Sequence, residues 1–174
     1  MNNKEYNFNW YDDFKQFYYE NNKTLINKHH FESYHDFLYN KLNEIINDPF
    51  FRIESINKVI SIEFSDISFI KPKNNDMEPL LPNECRLRNL NYFLDVNITA
   101  KINIKDIDSI IIKDFNLCKL PIQVLSEQCN LYNKINDKIN NDYKYELYKN
   151  GECINELGGY FIINGKEKVI VSQE

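Results

Sequence analysis

From Leu94 to Ile104 apolar and polar residues alternate without a break, with Leu94, Val96, Ile98, Ala100, Ile102 and Ile104 set against Asp95, Asn97, Thr99, Lys101 and Asn103. A period of two puts the first set on one face of a β-strand and the second on the other. The stretch therefore predicts a long antiparallel strand, packed on its apolar face and wet on its polar face. Ile107 to Lys113, beyond the polar Lys105-Asp106, is its expected returning partner. Val59 to Phe64 repeats the pattern, with Ile60, Ile62 and Phe64 opposite Ser61 and Glu63, and a second strand is expected at Ile67 to Ile70.

Helical spacing appears elsewhere. Asn9 to Glu20 carries Trp10, Phe14, Phe17 and Tyr18 on one face, with Asn9 placed as an N-cap. A second helix is predicted from Tyr34 to Asn47. Ser33 is its cap, Tyr34, Phe37, Leu38, Leu42, Ile45 and Ile46 form its apolar face, and Asp48-Pro49 is the stop. Lys71 to Asn83 contains Pro72, Pro79 and Pro82, so it predicts a surface loop and is the candidate internal linker. A short helix is expected over Val124 to Tyr132, a polar insertion over Asn133 to Asp142, and a further helix from Tyr143 to Tyr148 that ends at Gly151.

The final stretch predicts a β-hairpin. Asn164-Gly165 suits the two positive φ angles of a type I′ turn between strands at Tyr160 to Ile163 and Lys168 to Ser172. Gly158-Gly159 marks a place where the backbone needs unusual dihedrals. The last strand is apolar on both faces and belongs inside a sheet or under another layer, so the chain looks cut rather than finished. The expected architecture is α+β, with N-terminal helices and an antiparallel or mixed sheet. Residues 1–57 form the helical part and residues 58–174 the sheet-containing part of one unit, incomplete at its C-terminal end.

Composition narrows the reading. At 174 residues, 43% of them hydrophobic and 14% aromatic, the chain can bury a core within one domain. A formal net charge of -5, with a pI near 5.3, argues against a free-standing nucleic-acid binder, because neutralising phosphates needs a basic face. Any such contact is local. The start, Met1-Asn2-Asn3-Lys4-Glu5, lacks an apolar leader and no apolar run is long enough to span a bilayer, so a soluble, intracellular protein without membrane contact is expected.

The candidate chemistry is sparse. Cys85, Cys118, Cys129 and Cys153 are spread out and form no CxxC pair, which favours buried reduced thiols over a zinc site. Cys118 or Cys129 as a nucleophile lacks a neighbouring base. His29, His30 and His35 invite a metal or proton-transfer reading, but the spacing of five between His30 and His35 suits one helical face poorly and no carboxylate or thiol lies at ligand spacing, so packing is the better account. Arg86 and Arg88 flank Leu87, and in an extended segment both guanidinium groups project to one side, where they can clamp phosphate or carboxylate. Ion pairs with Glu84 or Asp95 are the preferred account of both. Lys166 and Lys168 share one side of the last strand with Glu167 opposite, which sets two ammonium groups beside any passing phosphodiester or, more ordinarily, in solvent.

One set of residues carries a resemblance. Gly151-Glu152-Cys153, then Gly158-Gly159-Tyr160-Phe161-Ile162-Ile163-Asn164-Gly165, Glu167-Lys168-Val169 and Ser172-Gln173-Glu174 resemble the signature near the N-terminus of the second-largest subunit of multisubunit DNA-directed RNA polymerases. Pro82-Asn83-Glu84-Cys85-Arg86-Leu87-Arg88-Asn89-Leu90 is similar to an earlier stretch of that family, as are Leu120-Pro121-Ile122 with Cys129-Asn130-Leu131, and Lys28 to Phe37 resembles its helix start. Ile154-Asn155-Glu156-Leu157 departs from the family's proline-containing run before the two glycines. The match resembles versions from large nucleocytoplasmic DNA viruses at least as much as cellular ones.

The resemblance implies the first part of the module called the protrusion, an α+β unit at the rim of the DNA cleft. It implies no catalytic residue and no metal ligand in this chain, the catalytic magnesium being held by aspartates of the largest subunit. The implied partners are the largest subunit, the remainder of the second-largest subunit, and template DNA and nascent RNA reached through the assembly. The strand matching Lys168 to Gln173 lies near the RNA and the RNA-DNA hybrid, which makes Arg86, Arg88, Lys166, Lys168 and Gln173 the candidate nucleic-acid-proximal residues. The implied location is the nucleus, or a virion or cytoplasmic virus factory. Two other readings stand beside it: a stand-alone interaction module or relic of a truncated polymerase gene, and a small independent enzyme using His or Cys.

Overall fold

The structure is a computed structural model, and it describes residue 14 and residues 26–55, 57, 59–105, 107–136 and 143–171. The predicted helix at Asn9 to Glu20 lies outside the described residues except for Phe14, as do Ser172, Gln173 and Glu174.

The first described helix begins earlier than the sequence predicts. α1 (Lys28–Asp36) leads through a π-helical turn at Phe37–Lys41 into α2 (Leu42–Asn47). Asn27, not Ser33, stands at the start, and its carbonyl accepts from the amides of His30 and Phe31. Ser33 is interior to the helix because Lys28 to Glu32 contain no breaker and complete the preceding turn. The stop is as expected: Asp48 is extended, and its carboxylate accepts from the amide of Phe50. Leu38, Leu42 and Ile46 face the core, whereas Phe37 and Ile45 are exposed, so the apolar stripe is narrower than the predicted one.

Four antiparallel strands follow in the order β1-β2-β3-β4: β1 (Ile53–Glu54), β2 (Ile60–Ile70), β3 (Phe93–Ile104) and β4 (Ile107–Pro121). The two strands expected around Val59 to Ile70 are one. A bulge joins them, where Asp66 takes φ +52 and the pairing steps from Ser65↔Thr99 to Ser68↔Asn97. β3 matches its prediction, and Leu94, Val96, Ile98 and Ala100 are buried along its apolar face. Its opposite face is not uniformly wet, since Asn97 is also buried and accepts from Asn116 at 3.1 Å. β4 returns as predicted but runs on to Pro121, with bulges along the pair.

The loop after β2 closes on itself through an isolated bridge between Lys73 and Pro79 and through the Asn74 carboxamide, which accepts from the amides of Asp76 and Glu78. It leads into α3 (Pro82–Leu87), with Pro82 in the first turn. The expected helix over Val124 to Tyr132 is instead a turn followed by α4 (Asn130–Asn136). Leu125 has φ +64 and the amide of Val124 is bonded to the carbonyl of Tyr160, so those residues belong to a strand junction. α5 (Tyr143–Lys149) ends before Gly151 at φ +79, as predicted.

One core joins these elements. Tyr92, Leu94, Val96 and Ile98 meet Ile122, Val124, Leu131 and Leu147, with Leu42, Ile46 and Ile162 closing its sides. Tyr92 is its polar pivot: fully buried, its hydroxyl accepts from the amide of Asn130 at 2.9 Å. The Asn130 carboxamide in turn donates to the carbonyls of Pro72 at 3.0 Å and Leu80 at 2.9 Å, which ties the loop to α4. Asn130→Ala is expected to strip both acceptors and cost about 1–3 kcal/mol. The check is a lower urea midpoint at unchanged m-value.

Candidate functional site

The hairpin forms around the turn that its sequence demands. β5 (Phe161–Ile163) pairs with β6 (Lys166–Lys168), and Asn164 and Gly165 take φ +51 and +70. Both central residues are left-handed, which is the type I′ condition. The second strand lies two residues earlier than expected, because a two-residue turn pairs the residues that immediately flank it. Val169, Ile170 and Val171, predicted to be interior, are about two-thirds exposed and lie beyond the ladder.

The turn is held by the segment that follows α3. Leu90 accepts from the amide of Gly165 at 2.9 Å, Asn91 Oδ1 from that of Asn164 at 2.6 Å, and Ile162 from that of Tyr92 at 3.0 Å. Gly165 has no room for a side chain, since a Cβ there would stand 2.8 Å from Asn89 Cα. Two stretches that carry the family resemblance, Pro82 to Leu90 and Gly158 to Gly165, are thus docked on each other.

Arg86 is the centre of that docking. It sits in the last turn of α3, not in the extended segment the sequence suggested, so Arg86 and Arg88 do not form a same-side pair. Nη1 of Arg86 donates to both Glu152 oxygens at 2.9 and 2.8 Å, Nε to Glu167 at 2.9 Å and Nη2 to the Tyr160 hydroxyl. Its guanidinium also lies 5.7 Å from the centroid of the Tyr160 ring. Burial opposes the Arg86 charge, but Tyr160 and Glu152 outweigh it and hold the guanidinium pKa above its ordinary value. Glu152 is the most enclosed member, its side chain 2% exposed, and burial raises its carboxyl pKa against the pull of Arg86. Burial likewise raises the Tyr160 phenol. Arg88 pairs with Glu84, one of the two expected partners.

The chemistry of this cluster is positional. With its donors turned to Glu152, Glu167 and Tyr160, Arg86 clamps α3, the Glu152 loop and the hairpin together. Strand alternation then places Lys166 and Lys168 on the side away from Glu167, exposed, and neither forms an ion pair among the described residues. Gln173 lies outside the described residues. The roles of Glu152, Tyr160 and Glu167 as partners of Arg86 were missed from sequence. Their signal was their membership of the motifs carrying the resemblance, since separations of 66, 74 and 81 residues show no local pattern.

The remaining candidates are placed elsewhere. The His29 and His30 rings lie tilted at 38° with centroids 4.0 Å apart, and His35 Nδ1 lies 3.5 Å from Glu127, a carboxylate that only the fold supplies. Cys85 and Cys129 are buried, Cys118 is half-buried and Cys153 is exposed, so the expectation of buried thiols fails at Cys153. Burial pushes the Cys85 thiol up to about 12, with Glu84 adding to it. A cavity of about 1050 Å³ opens beside α1 between Phe31, Leu38, Leu125, Tyr132 and Leu157, and none of the Arg86 cluster lines it. No helix among the described residues is long and apolar enough to cross a membrane.

Residues 25–174 match the family model described as RNA polymerase beta subunit. Over 150 residues the chain is 31% identical to DNA-directed RNA polymerase subunit Rpo2N of Methanothermobacter thermautotrophicus (strain Winter), a match covering 84% of this chain and 27% of that relative. It is 32% identical over 158 residues to DNA-directed RNA polymerase III subunit RPC2 of Saccharomyces cerevisiae, covering 87% and 12%. It is 32% identical over 160 residues to DNA-directed RNA polymerase II subunit RPB2 of Encephalitozoon cuniculi, covering 82% and 13%. The chain therefore spans between 12% and 27% of the length of these curated relatives. The motifs that meet at Arg86 lie within the matched region, and the chain belongs to the RNA polymerase beta subunit family, as an N-terminal segment of the second-largest subunit.

Proposed function

We propose that this chain forms the first part of the protrusion-type module of a DNA-directed RNA polymerase and stands in the wall of the cleft that holds DNA and nascent RNA. The observation that carries the reading is the family match over residues 25–174. The reaction, template-directed nucleotidyl transfer, is that of the assembly. Its magnesium is held by the largest subunit and supplies metal-assisted phosphoryl transfer there. The partners are that subunit and the rest of the second-largest one, with template and transcript met through the complex. The reading is tested by co-purification from the native source. Recovery of this chain with a largest subunit competent for RNA synthesis supports it, and absence from every such complex overturns it.

Within that role the five candidate residues divide. Arg86 and Arg88 are taken up by carboxylates and act as positioning residues, whereas Lys166 and Lys168 are left for phosphate. Gln173 stays with the candidates on the family resemblance alone. Substituting both lysines by alanine in the assembled polymerase is expected to weaken nucleic-acid retention uniformly across sequences. Each lysine that meets a phosphate should lower the slope of log K against log[salt] by about 1. An unchanged slope removes the two lysines from the interface and leaves the family assignment standing.

A further inference from the structure

Among the described residues β4 is the outermost strand of the four-stranded sheet, with β3 on one side. Every residue from Ile107 to Leu117 is exposed. Ile110, Ile111 and Ile112 are consecutive, so the pleat sends Ile110 and Ile112 to one face and Ile111 to the other; they are 51%, 56% and 43% exposed. An apolar run on both faces is the composition of a strand inside a sheet. On an open edge the same run, with its unpaired backbone groups, is a template for another strand. The apolar face continues inward through the pairs Ile102↔Ile110 and Ile104↔Ile107, beyond the part of the sheet that carries the buried core residues of β3. Asp114, at φ +55, interrupts the regular edge, which leaves Ile107 to Lys113 as the stretch able to pair.

We propose that this edge receives an apolar β-strand from the part of the second-largest subunit that lies outside the matched segment. The inference rests on the polymerase reading above. An exposed row of backbone amides and carbonyls flanked by isoleucines calls for an extended peptide with apolar side chains. It does not suit a polyanion, since Lys113 is the one cation from Ile107 to Leu117. The relatives that this chain matches have 73–88% of their length outside the match (100 − 27 and 100 − 12), so ample polypeptide of the same subunit exists to supply the strand. A tethered strand also binds at a high effective concentration. A second copy is the competing occupant.

The test is hydrogen exchange of the outward-pointing amides of Ile107 to Lys113. It is measured on the chain alone and on the chain co-expressed with the rest of the second-largest subunit and the largest subunit. The expected result is fast exchange in the free chain and slowing by about tenfold or more in the complex. The double variant Ile110→Lys/Ile112→Lys should lose that protection while the free chain stays folded, because both side chains are about half exposed and lie outside the buried core. A chain that co-purifies with the polymerase but keeps fast β4 exchange overturns the inference and leaves the functional reading intact. A chain that fails to co-purify overturns the functional reading first. Protection that grows with concentration in the chain alone assigns the edge to a second copy and overturns the inference.

Discussion

Arg86→Ala is expected to destabilise the fold by about 3–5 kcal/mol, the cost of leaving a buried carboxylate without its partner. The loss falls on Glu152, whose side chain is 2% exposed and receives two Arg86 hydrogen bonds. Glu167 is half exposed and contributes little, because water and salt screen it. The measurement is the denaturant midpoint of the variant. Its companion, Arg86→Met with Glu152→Leu, should recover most of the loss, since an apolar pair in place of a buried ion pair is often neutral or stabilising. A double variant no better than the single one would mean that Arg86 acts through packing and not through the charge of Glu152. The pH dependence has a definite sign. Burial raises the Glu152 pKa, and removing Arg86 deletes the main influence that lowers it, leaving only the hydrogen bond from the Asn83 backbone on that side. The folded state binds the proton more tightly than the unfolded chain, so stability falls as pH rises from the unfolded value of about 4.3 through the folded pKa. Acidification should therefore narrow the gap between the variant and the parent chain.

Gly158→Ala is the second large effect, at about 2–5 kcal/mol, the sum of a left-handed residue acquiring a Cβ and of overpacking. Gly158 has φ +67, and a Cβ built there stands 2.4 Å from the carbonyl oxygen of Val124 and 2.7 Å from Leu125 Cβ. Neither atom is the free end of a flexible side chain. The Val124 carbonyl accepts from the amide of Gly159 at 3.0 Å and the Val124 amide donates to Tyr160 at 2.8 Å, so moving it loosens the hairpin from the core. Gly159→Ala is the control. It carries the same class of backbone penalty at φ +87, but its nearest neighbours, the Asn27 side-chain atoms at 3.2 Å, need to shift by only a few tenths of an ångström, whereas those of Gly158 stand at 2.4 and 2.7 Å. Thermal or urea midpoints should rank parent above Gly159→Ala above Gly158→Ala. Equal midpoints for the two variants would show that the backbone conformation alone sets the cost.

The elements read most faithfully were those specified by local rules. The alternation from Leu94 to Ile104 needs only the strand period, and Asn164-Gly165 needs only two residues that tolerate positive φ. Asp48-Pro49 and Gly151 stop their helices for reasons carried by the residues themselves. The errors lie where a distant partner overrides a local preference. Asn27, which stands at the helix start in place of Ser33, is itself held from afar, its carboxamide donating to the carbonyl of Gly158 at 2.9 Å, across 131 residues. Val124 and Leu125 were drawn out of a helix by Tyr160 and by the close approach of Gly158.

The candidate site followed the same division. The motifs marked Arg86, Arg88, Lys166 and Lys168 as residues of interest, and charge with strand parity alone separates Lys166 and Lys168 from Glu167. Which cations are consumed and which stay free is a long-range fact. A guanidinium chooses between phosphate and carboxylate by what the fold brings within hydrogen-bond reach, and here Glu152, Tyr160 and Glu167 arrive from 66, 74 and 81 residues away. Family, strand periodicity and turn type are thus properties of the chain read residue by residue, because each rests on neighbours a few positions apart. The clamp at Arg86, the open edge of β4 and the exposure of Val169 to Val171 belong to the tertiary structure, because burial and pairing are decided by surfaces that meet only when the chain is folded.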